Sequence, residues 1–289
     1  MTGMKAGYVV LIGRPNAGKS TLVNAIIGQK VAITSPKPQT TRFPIQAVLE
    51  DDRGQIVFID TPGIFGKVVD EVSRRINPRA GDLASQRVNL VIYLIDHTRK
   101  RDFEENIALG IVRKFNAPKL LVVNKIDLRE PDYRVQYKFM EEEFTDVVEV
   151  SALEGIHVPT LITKIFSLLP EGEPLIATED LPHPNLNMDS KTYLSEIIRE
   201  KAFLFLRREV PYKITAVVDD VSHRESGNLY IKARILTTDD RYKGMIIGKN
   251  GAMIKEIGMA TRKELETAIN KKVFIDLTVE TDPHWVDYL

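Results

Sequence analysis

The sequence predicts a mostly parallel, doubly wound α/β domain followed by a small α+β domain, and three observations carry that expectation. Over residues 1–170, short runs nearly continuous in Val, Ile and Leu alternate with stretches of helical pattern. Such runs suit strands buried on both faces, with helices crossing over them. The composition then breaks. Pro170-Glu171-Gly172-Glu173-Pro174 and Pro182-His183-Pro184-Asn185 bracket an acidic, proline-rich stretch, where proline restricts both helix and sheet pairing. Beyond it the order of elements becomes α-β-β-α-α-β. The expected division is a first domain over 1–170, a linker over 171–188 and a second domain over 189–289; a loop packed on one domain is the other reading of the linker.

The candidate strands of the first domain are Tyr8 to Ile12, Gln55 to Asp60, Asn89 to Asp96, Lys119 to Asn124 and Val147 to Val150. The most apolar run, Leu90 to Ile95, suits a buried strand and is too short to cross a bilayer. Helical segments run from Lys19 to Gly28 and from Asp102 to Phe115, and a last helix from Val158 to Leu169 closes the domain. In the second domain a long helix is expected from Ser190 to Arg208. Strands Lys213 to Val221 and Leu229 to Thr237 follow, joined through Ser226-Gly227-Asn228. A short helical stretch leads to Gly248, then a helix spans Ala252 to Asn270 and a strand spans Val273 to Thr281.

Composition bounds the function. The 289 residues are 43% hydrophobic and 28% charged, a soluble globular balance in which each domain can bury its own core. No cysteine is present, which excludes disulfides, thiolate metal sites and cysteine nucleophiles and fits a cytoplasmic protein. The N-terminus enters a strand almost at once, so no signal peptide is expected. Forty basic and forty acidic residues cancel, so bulk charge gives no support to nucleic-acid binding, although a local basic site remains open. The five histidines, His97, His157, His183, His223 and His284, are scattered without metal-ligand spacing and read as surface or loop residues.

The chemistry sits at strand ends. Gly13-Arg14-Pro15-Asn16-Ala17-Gly18-Lys19-Ser20 has the P-loop spacing between a strand and a helix. Its glycines let the backbone wrap a phosphate, and successive amides with the next helix N-terminus, from Asn16 through Thr21, point at the anion. Lys19 places a cation on the β- and γ-phosphates, and Ser20 offers a hydroxyl to Mg²⁺. Asp60-Thr61-Pro62-Gly63 follows a strand: Asp60 can hold Mg²⁺, usually through water, and the Gly63 amide can sense a γ-phosphate. Pro38-Gln39-Thr40-Thr41-Arg42 reads as a switch loop, with Thr41 preferred as the Mg²⁺ ligand. Asn124-Lys125-Ile126-Asp127 selects the base. The Asp127 carboxylate can accept from guanine N1–H and the exocyclic amine, which adenine lacks on that edge; such a site discriminates by about 10⁴-fold or more. Lys125 can lay its stem on the ring, Asn124 can tie this loop to the phosphate loop, and Ser151-Ala152-Leu153 can place the Ala152 amide on guanine O6. Four motifs in this order at strand C-termini, where open α/β sheets bind ligands, favour GTP over ATP.

These residues resemble the translation-factor-related GTPases, and most closely the bacterial Era family, over nearly the whole chain. In the second domain, Gly244-Met245-Ile246-Ile247-Gly248-Lys249-Asn250-Gly251 resembles the signature of a type II KH domain. The resemblance implies an α/β P-loop GTPase domain followed by a type II KH domain. It also implies binding to the 3′ region of small-subunit ribosomal RNA and help in 30S subunit assembly. Physically, Gly248 and Gly251 let a nucleic-acid backbone approach, Lys249 and Lys255 add charge, Asn250 lies between them, and Ile246, Ile247 and Ile254 can line a groove for splayed bases. Arg241, Lys243, Arg262 and Lys263 are further candidates for phosphate contact.

Ile64 stands where Ras-like enzymes carry a water-orienting glutamine, so slow intrinsic hydrolysis without a side-chain base is expected, resting on Lys19, Thr41 and Gly63. By resemblance, Asn16 helps bind K⁺, whose charge stands in for an arginine finger. A monomer is expected. The family's peripheral membrane association enters by resemblance alone, and no amphipathic basic anchor is visible. The alternative function is a protein-directed signalling GTPase whose C-terminal domain binds a protein.

Overall fold

The computed structural model describes residues 3–32, 45–60, 88–144, 146–177, 190–224, 228–269 and 272–288. They form two compact units, the first reaching residue 177 and the second starting at 190.

The first unit is built on a six-stranded sheet ordered β2-β3-β1-β4-β5-β6. The strands are β1 (Lys5–Ile12), β2 (Ile45–Asp51), β3 (Gly54–Asp60), β4 (Leu90–Asp96), β5 (Lys119–Asn124) and β6 (Asp146–Glu149). All neighbours are parallel except β2, which runs antiparallel to β3 at the edge. Among the described residues the helices are α1 (Lys19–Ile27), α2 (Phe103–Val112), α3 (Phe139–Glu143) and α4 (Val158–Leu168). Every residue of β4 is buried, as a central strand covered on both faces requires. One face of the sheet packs Val91, Tyr93 and Ile95 against Leu109, Val112, Met140 and Phe144, with the Tyr93 and Phe144 rings 5.8 Å apart. Each such fully buried side chain contributes about 1.5–3 kcal/mol relative to exposure.

Strand β2, helix α3 and the 3₁₀ turn Arg134–Tyr137 lie outside the expected elements. The hairpin from β2 into β3 is closed by Asp51, whose Oδ1 accepts the Arg53 N–H at 2.8 Å. Gly54 then has φ 136°, and a Cβ there would lie 1.9 Å from the Lys5 carbonyl oxygen, so only glycine lets β3 start beside β1.

The chain after α4 stays on this unit. Pro170 and Met4 carbonyls accept from the Ala6 and Gly172 N–H groups. The fully buried Gln55 accepts from Leu175 N–H at 2.8 Å and Ile176 N–H at 3.0 Å, and donates to the Ile176 carbonyl at 2.7 Å. Residues 171–177, the front of the expected linker, are thus bonded to β1 and β3; residues 178–189 lie outside the described residues.

The second unit contains α5 (Ser190–Phe205), β7 (Ile214–His223), β8 (Leu229–Thr237), α6 (Asp240–Ile247), α7 (Ala252–Ile269) and β9 (Val273–Thr281), the expected α-β-β-α-α-β order. Its sheet is ordered β7-β8-β9, antiparallel then parallel. Helix α5 rests on β7 and α7 rests on α5 and β9, burying Ile197, Ile198, Ile231, Ile235 and Ile257. Among the described residues, no helix is long and apolar enough to cross a membrane.

Candidate functional site

Because β1, β3, β4, β5 and β6 are parallel, their C-terminal ends share one edge, and the phosphate loop, Asp60 and the Asn124–Asp127 loop leave the sheet there. The phosphate loop needs its glycines for measurable reasons. A Cβ on Gly13 would lie 2.4 Å from the Leu94 carbonyl oxygen. Gly18 has φ 101°, and a Cβ there would lie 2.2 Å from Asn124 Nδ2. Asn16, exposed at the loop tip, also has a left-handed φ of 63°. Lys19 is buried, and its Nζ donates to the carbonyls of Gly13 (2.9 Å) and Arg14 (3.2 Å). The ammonium is thereby held inside the curl of the loop. Ser20 and Thr21 occupy the first turn of α1, half-buried.

A second ring of contacts, absent from the sequence reading, braces this loop. The Arg14 side chain is fully buried; it pairs with Asp102 (2.9 Å) and Glu105 (3.2 Å) and donates to the Lys100 carbonyl (3.0 Å). Glu105 also accepts from the Tyr93 hydroxyl at 2.6 Å. Burial pushes the Glu105 carboxyl up from its ordinary value, against the hydrogen bonds and the Arg14 charge that favour its ionised form. Arg99 reaches over to donate to the Pro15 carbonyl at 2.9 Å. Nothing in the P-loop spacing distinguishes Arg14 from an exposed charge; only the placement of α2 beside β4 reveals it.

The base loop is joined to the phosphate loop as expected. Asn124, buried, donates through Nδ2 to the Ala17 carbonyl at 2.9 Å and accepts the Ala152 N–H through Oδ1 at 3.0 Å. One amide side chain therefore fastens three motifs together. The Ala152 amide, expected to face guanine O6, is held here by Asn124. Ser151, fully buried, accepts the Glu154 N–H on its hydroxyl and so shapes the same turn.

Lys125 has φ 69°, a left-handed conformation that costs a non-glycine residue about 1–2 kcal/mol. Its Nζ donates to Asp96 Oδ2 at 2.5 Å. Asp96 is buried, which by itself would raise its carboxyl; the hydrogen bonds from Lys125 and Thr98 outweigh that and hold it below the ordinary value, so it is ionised at neutral pH. Asp127 differs from all of these: its Oδ1 is buried yet meets no donor among the described residues. A buried carboxylate oxygen without a partner is costly, and the N1–H and amine edge of guanine is the donor pair that would satisfy it. The residues present thus fit a guanine nucleotide.

Thr41, Gly63 and Ile64 lie outside the described residues, as does the whole expected switch loop. Asp60 ends β3 in register with Leu11 of β1, two residues before Gly13, which puts its backbone at the phosphate-loop edge. His97 corrects the histidine reading. It is fully buried, with Nε2 3.0 Å from the Lys125 carbonyl and Nδ1 3.2 Å from Asp132 Oδ1. His157 and His284 are exposed, as read.

In the second unit, Gly248 ends α6 with φ 73°, donating its N–H to the Gly244 carbonyl at 3.0 Å. The turn Lys249–Gly251 follows, with Asn250 at φ 52° and Gly251 at φ 74°. The two glycines are required differently. A Cβ on Gly248 would lie 2.7 Å from Met253 Cβ, whereas one on Gly251 meets nothing within 4 Å. Open space at Gly251, beside exposed Lys249, Asn250 and Lys255, leaves room for a phosphate backbone. Ile247 and Ile254 are half-buried, but Ile246 is fully buried. It belongs to the core and not to a base-lining groove, because its side chain is closed off from solvent.

Comparison with known proteins agrees with both halves. The family of 50S ribosome-binding GTPases matches residues 8–125 and the KH domain matches residues 209–286. GTPase Era of Thermoanaerobacter sp. (strain X514) is 40% identical over 296 residues, covering 99% of this chain and 94% of that protein. GTPase Era of Trichlorobacter lovleyi is 38% identical over 291 residues, covering 98% and 94%. Two solved structures share the fold at 35% identity. An Aquifex aeolicus Era variant bound to GDP and AlF4⁻ superposes with a TM-score of 0.89, covering 98% of this chain and 96% of its own. Era in complex with MgGDPNP and nucleotides 1506–1542 of 16S ribosomal RNA superposes with a TM-score of 0.88, covering 98% and 95%.

Proposed function

The chain belongs to the Era family of GTPases, and on that premise we propose that it is a cytoplasmic, nucleotide-switched factor that binds the 3′ region of small-subunit ribosomal RNA and assists assembly of the 30S subunit. The observation that supports the RNA half is the Era complex holding nucleotides 1506–1542 of 16S RNA, whose fold this chain shares over 98% of its length. The family description that matches residues 8–125 names the 50S ribosome; the small subunit is preferred because the RNA-bound relative spans both units.

In this reading the phosphate loop from Asn16 through Thr21 wraps the phosphates. Lys19 would neutralise the β- and γ-oxygens, and Ser20, Thr41 and Asp60 would hold Mg²⁺, directly or through water, whose charge would offset the negative charge that develops on the phosphate oxygens as the β–γ bond breaks. The Asp127 carboxylate selects guanine, Lys125 covers the ring, and Asn124 with Ser151 and Ala152 fixes the loop. Gly63 donates to the γ-phosphate and so reports its presence. With Ile64 next to it, no side chain orients the attacking water, and intrinsic turnover is slow. Asn16 helps seat a K⁺ ion. The turn from Ile247 through Gly251, with Lys255, binds the RNA backbone.

The test uses the full chain with a GTP analogue and an oligonucleotide copying the 3′ end of small-subunit ribosomal RNA. Binding at least tenfold tighter than to a scrambled oligonucleotide of equal length supports the proposal. No binding to either directs the function to a protein partner.

A further inference from the structure

Beyond the motifs, two adjacent residues at the end of β4 converge on one residue of the base loop. Asp96 takes the Lys125 ammonium at 2.5 Å, while His97 lies 3.0 Å from the Lys125 carbonyl. A carbonyl can only accept, so His97 Nε2 carries the proton and donates. The same carbonyl accepts the Leu128 N–H at 2.9 Å. Both clamping side chains are fully buried, and each is held from behind. Asp96 Oδ1 accepts the Thr98 N–H at 2.9 Å and its hydroxyl at 2.6 Å. His97 Nδ1 faces Asp132 Oδ1 at 3.2 Å, and the His97 carbonyl accepts the Tyr133 N–H at 2.8 Å.

Lys125 is also the residue whose left-handed φ turns the chain from Asn124 toward Asp127. Strained backbone persists only where its surroundings over-determine it. Here the side-chain tip and the backbone carbonyl of one residue are gripped by Asp96, the last residue of β4, and by His97, the residue after it. We propose that Asp96 and His97 are specificity-positioning residues, which fix Lys125 so that the Asp127 carboxylate and the Lys125 stem stand ready before a guanine base arrives. They do not touch phosphate chemistry. Their effect is on recognition of the base, through a loop organised in advance. The proposal rests on the guanine-binding reading of Asp127.

The experiment measures GDP and IDP affinities of the full-length parent, Asp96→Asn, His97→Phe and His97→Gln, together with kcat at saturating GTP. Inosine keeps N1–H and O6 but lacks the exocyclic amine, so the GDP/IDP ratio reports how well Asp127 is placed. A ratio cancels any misfolded fraction of a variant. Asp96→Asn weakens the Lys125 grip and His97→Phe removes the Nε2 donor to the Lys125 carbonyl; each is expected to lower GDP affinity about tenfold and to pull the GDP/IDP ratio toward one, with kcat within a few-fold of the parent. His97→Gln, which keeps a donor, is expected to retain most of the ratio. An unchanged ratio in Asp96→Asn and His97→Phe, beside a parent that discriminates, overturns the clamp alone. A parent that binds GDP, IDP and ADP equally overturns the guanine reading, and the clamp with it.

Discussion

Replacing Asp127 by Asn tests the base site most sharply. The substitution preserves shape and removes the charge. In the parent, Oδ1 is buried without a donor among the described residues, so the carboxylate is expected to take two hydrogen bonds from guanine. With Asn, one oxygen becomes an NH2 group that faces a donor. One charge-assisted hydrogen bond, about 1.5–3 kcal/mol, is lost, and an unsatisfied buried donor adds about 1–3 kcal/mol. The sum, about 2.5–6 kcal/mol, corresponds to a loss of about 10²–10⁴-fold in GDP affinity. Xanthine carries a carbonyl in place of the amine, so the new NH2 gains a partner and XDP binding strengthens. Titration calorimetry with GDP and XDP reads both. A GDP affinity within threefold of the parent, or no gain for XDP, refutes the assignment of Asp127 to the base.

Other substitutions follow from the same geometry. Gly18→Ala combines a φ of 101° with a Cβ 2.2 Å from Asn124 Nδ2; backbone strain and the displaced Asn124–Ala17 hydrogen bond cost about 2–5 kcal/mol, seen as loss of GDP binding in the same titration. Arg14→Met strands the buried Glu105 carboxyl and is expected to lower unfolding free energy by about 3–5 kcal/mol, with Glu105→Gln in the same chain restoring part of it in a denaturant double-mutant cycle. Gly251→Asp meets no neighbour within 4 Å but puts a side chain at φ 74°, a strain of about 1–2 kcal/mol expected to lower the melting temperature by several degrees without unfolding the domain, while a negative charge beside Lys249 lowers RNA affinity about tenfold or more in a gel-shift titration. Gly248→Asp, with Met253 in the way, is expected to lose stability as well.

Much of this architecture is legible in the sequence because each motif terminates a strongly apolar strand. Leu90 to Ile95 and Leu120 to Val123 announce buried parallel strands, and Asn124 and Asp96 stand at their ends. Strand β2 escapes that reading. Ile45-Gln46-Ala47-Val48-Leu49 is a short, edge-strand run that fades into Glu50-Asp51, and its pairing is set by the Asp51–Arg53 turn and by Gly54, whose need for glycine arises from Lys5, far away in the chain. Gln55 and Arg14 escape for a related reason. Both look like surface polar residues until the 175–176 backbone and helix α2 close over them. His97 is the sharpest case: its isolation among polar residues suggests a loop histidine, and only the proximity of the Lys125 carbonyl and Asp132 explains its burial. Ile246 misleads in the other direction, since position within a motif does not say which helical side chains are buried. Periodicity identifies elements and their ends; tertiary proximity decides which polar side chains brace the site.

Control of RNA binding by the guanine nucleotide is tested most directly by measuring the affinity of the full chain for the 3′-end ribosomal oligonucleotide with GDP and with a non-hydrolysable GTP analogue at fixed salt. Coupling requires differential affinity between the two states. Binding at least about tenfold tighter with the analogue is expected, a coupling of about 1.4 kcal/mol or more. Equal affinity in both states would contradict it, leaving an RNA-binding GTPase whose nucleotide does not act as a switch.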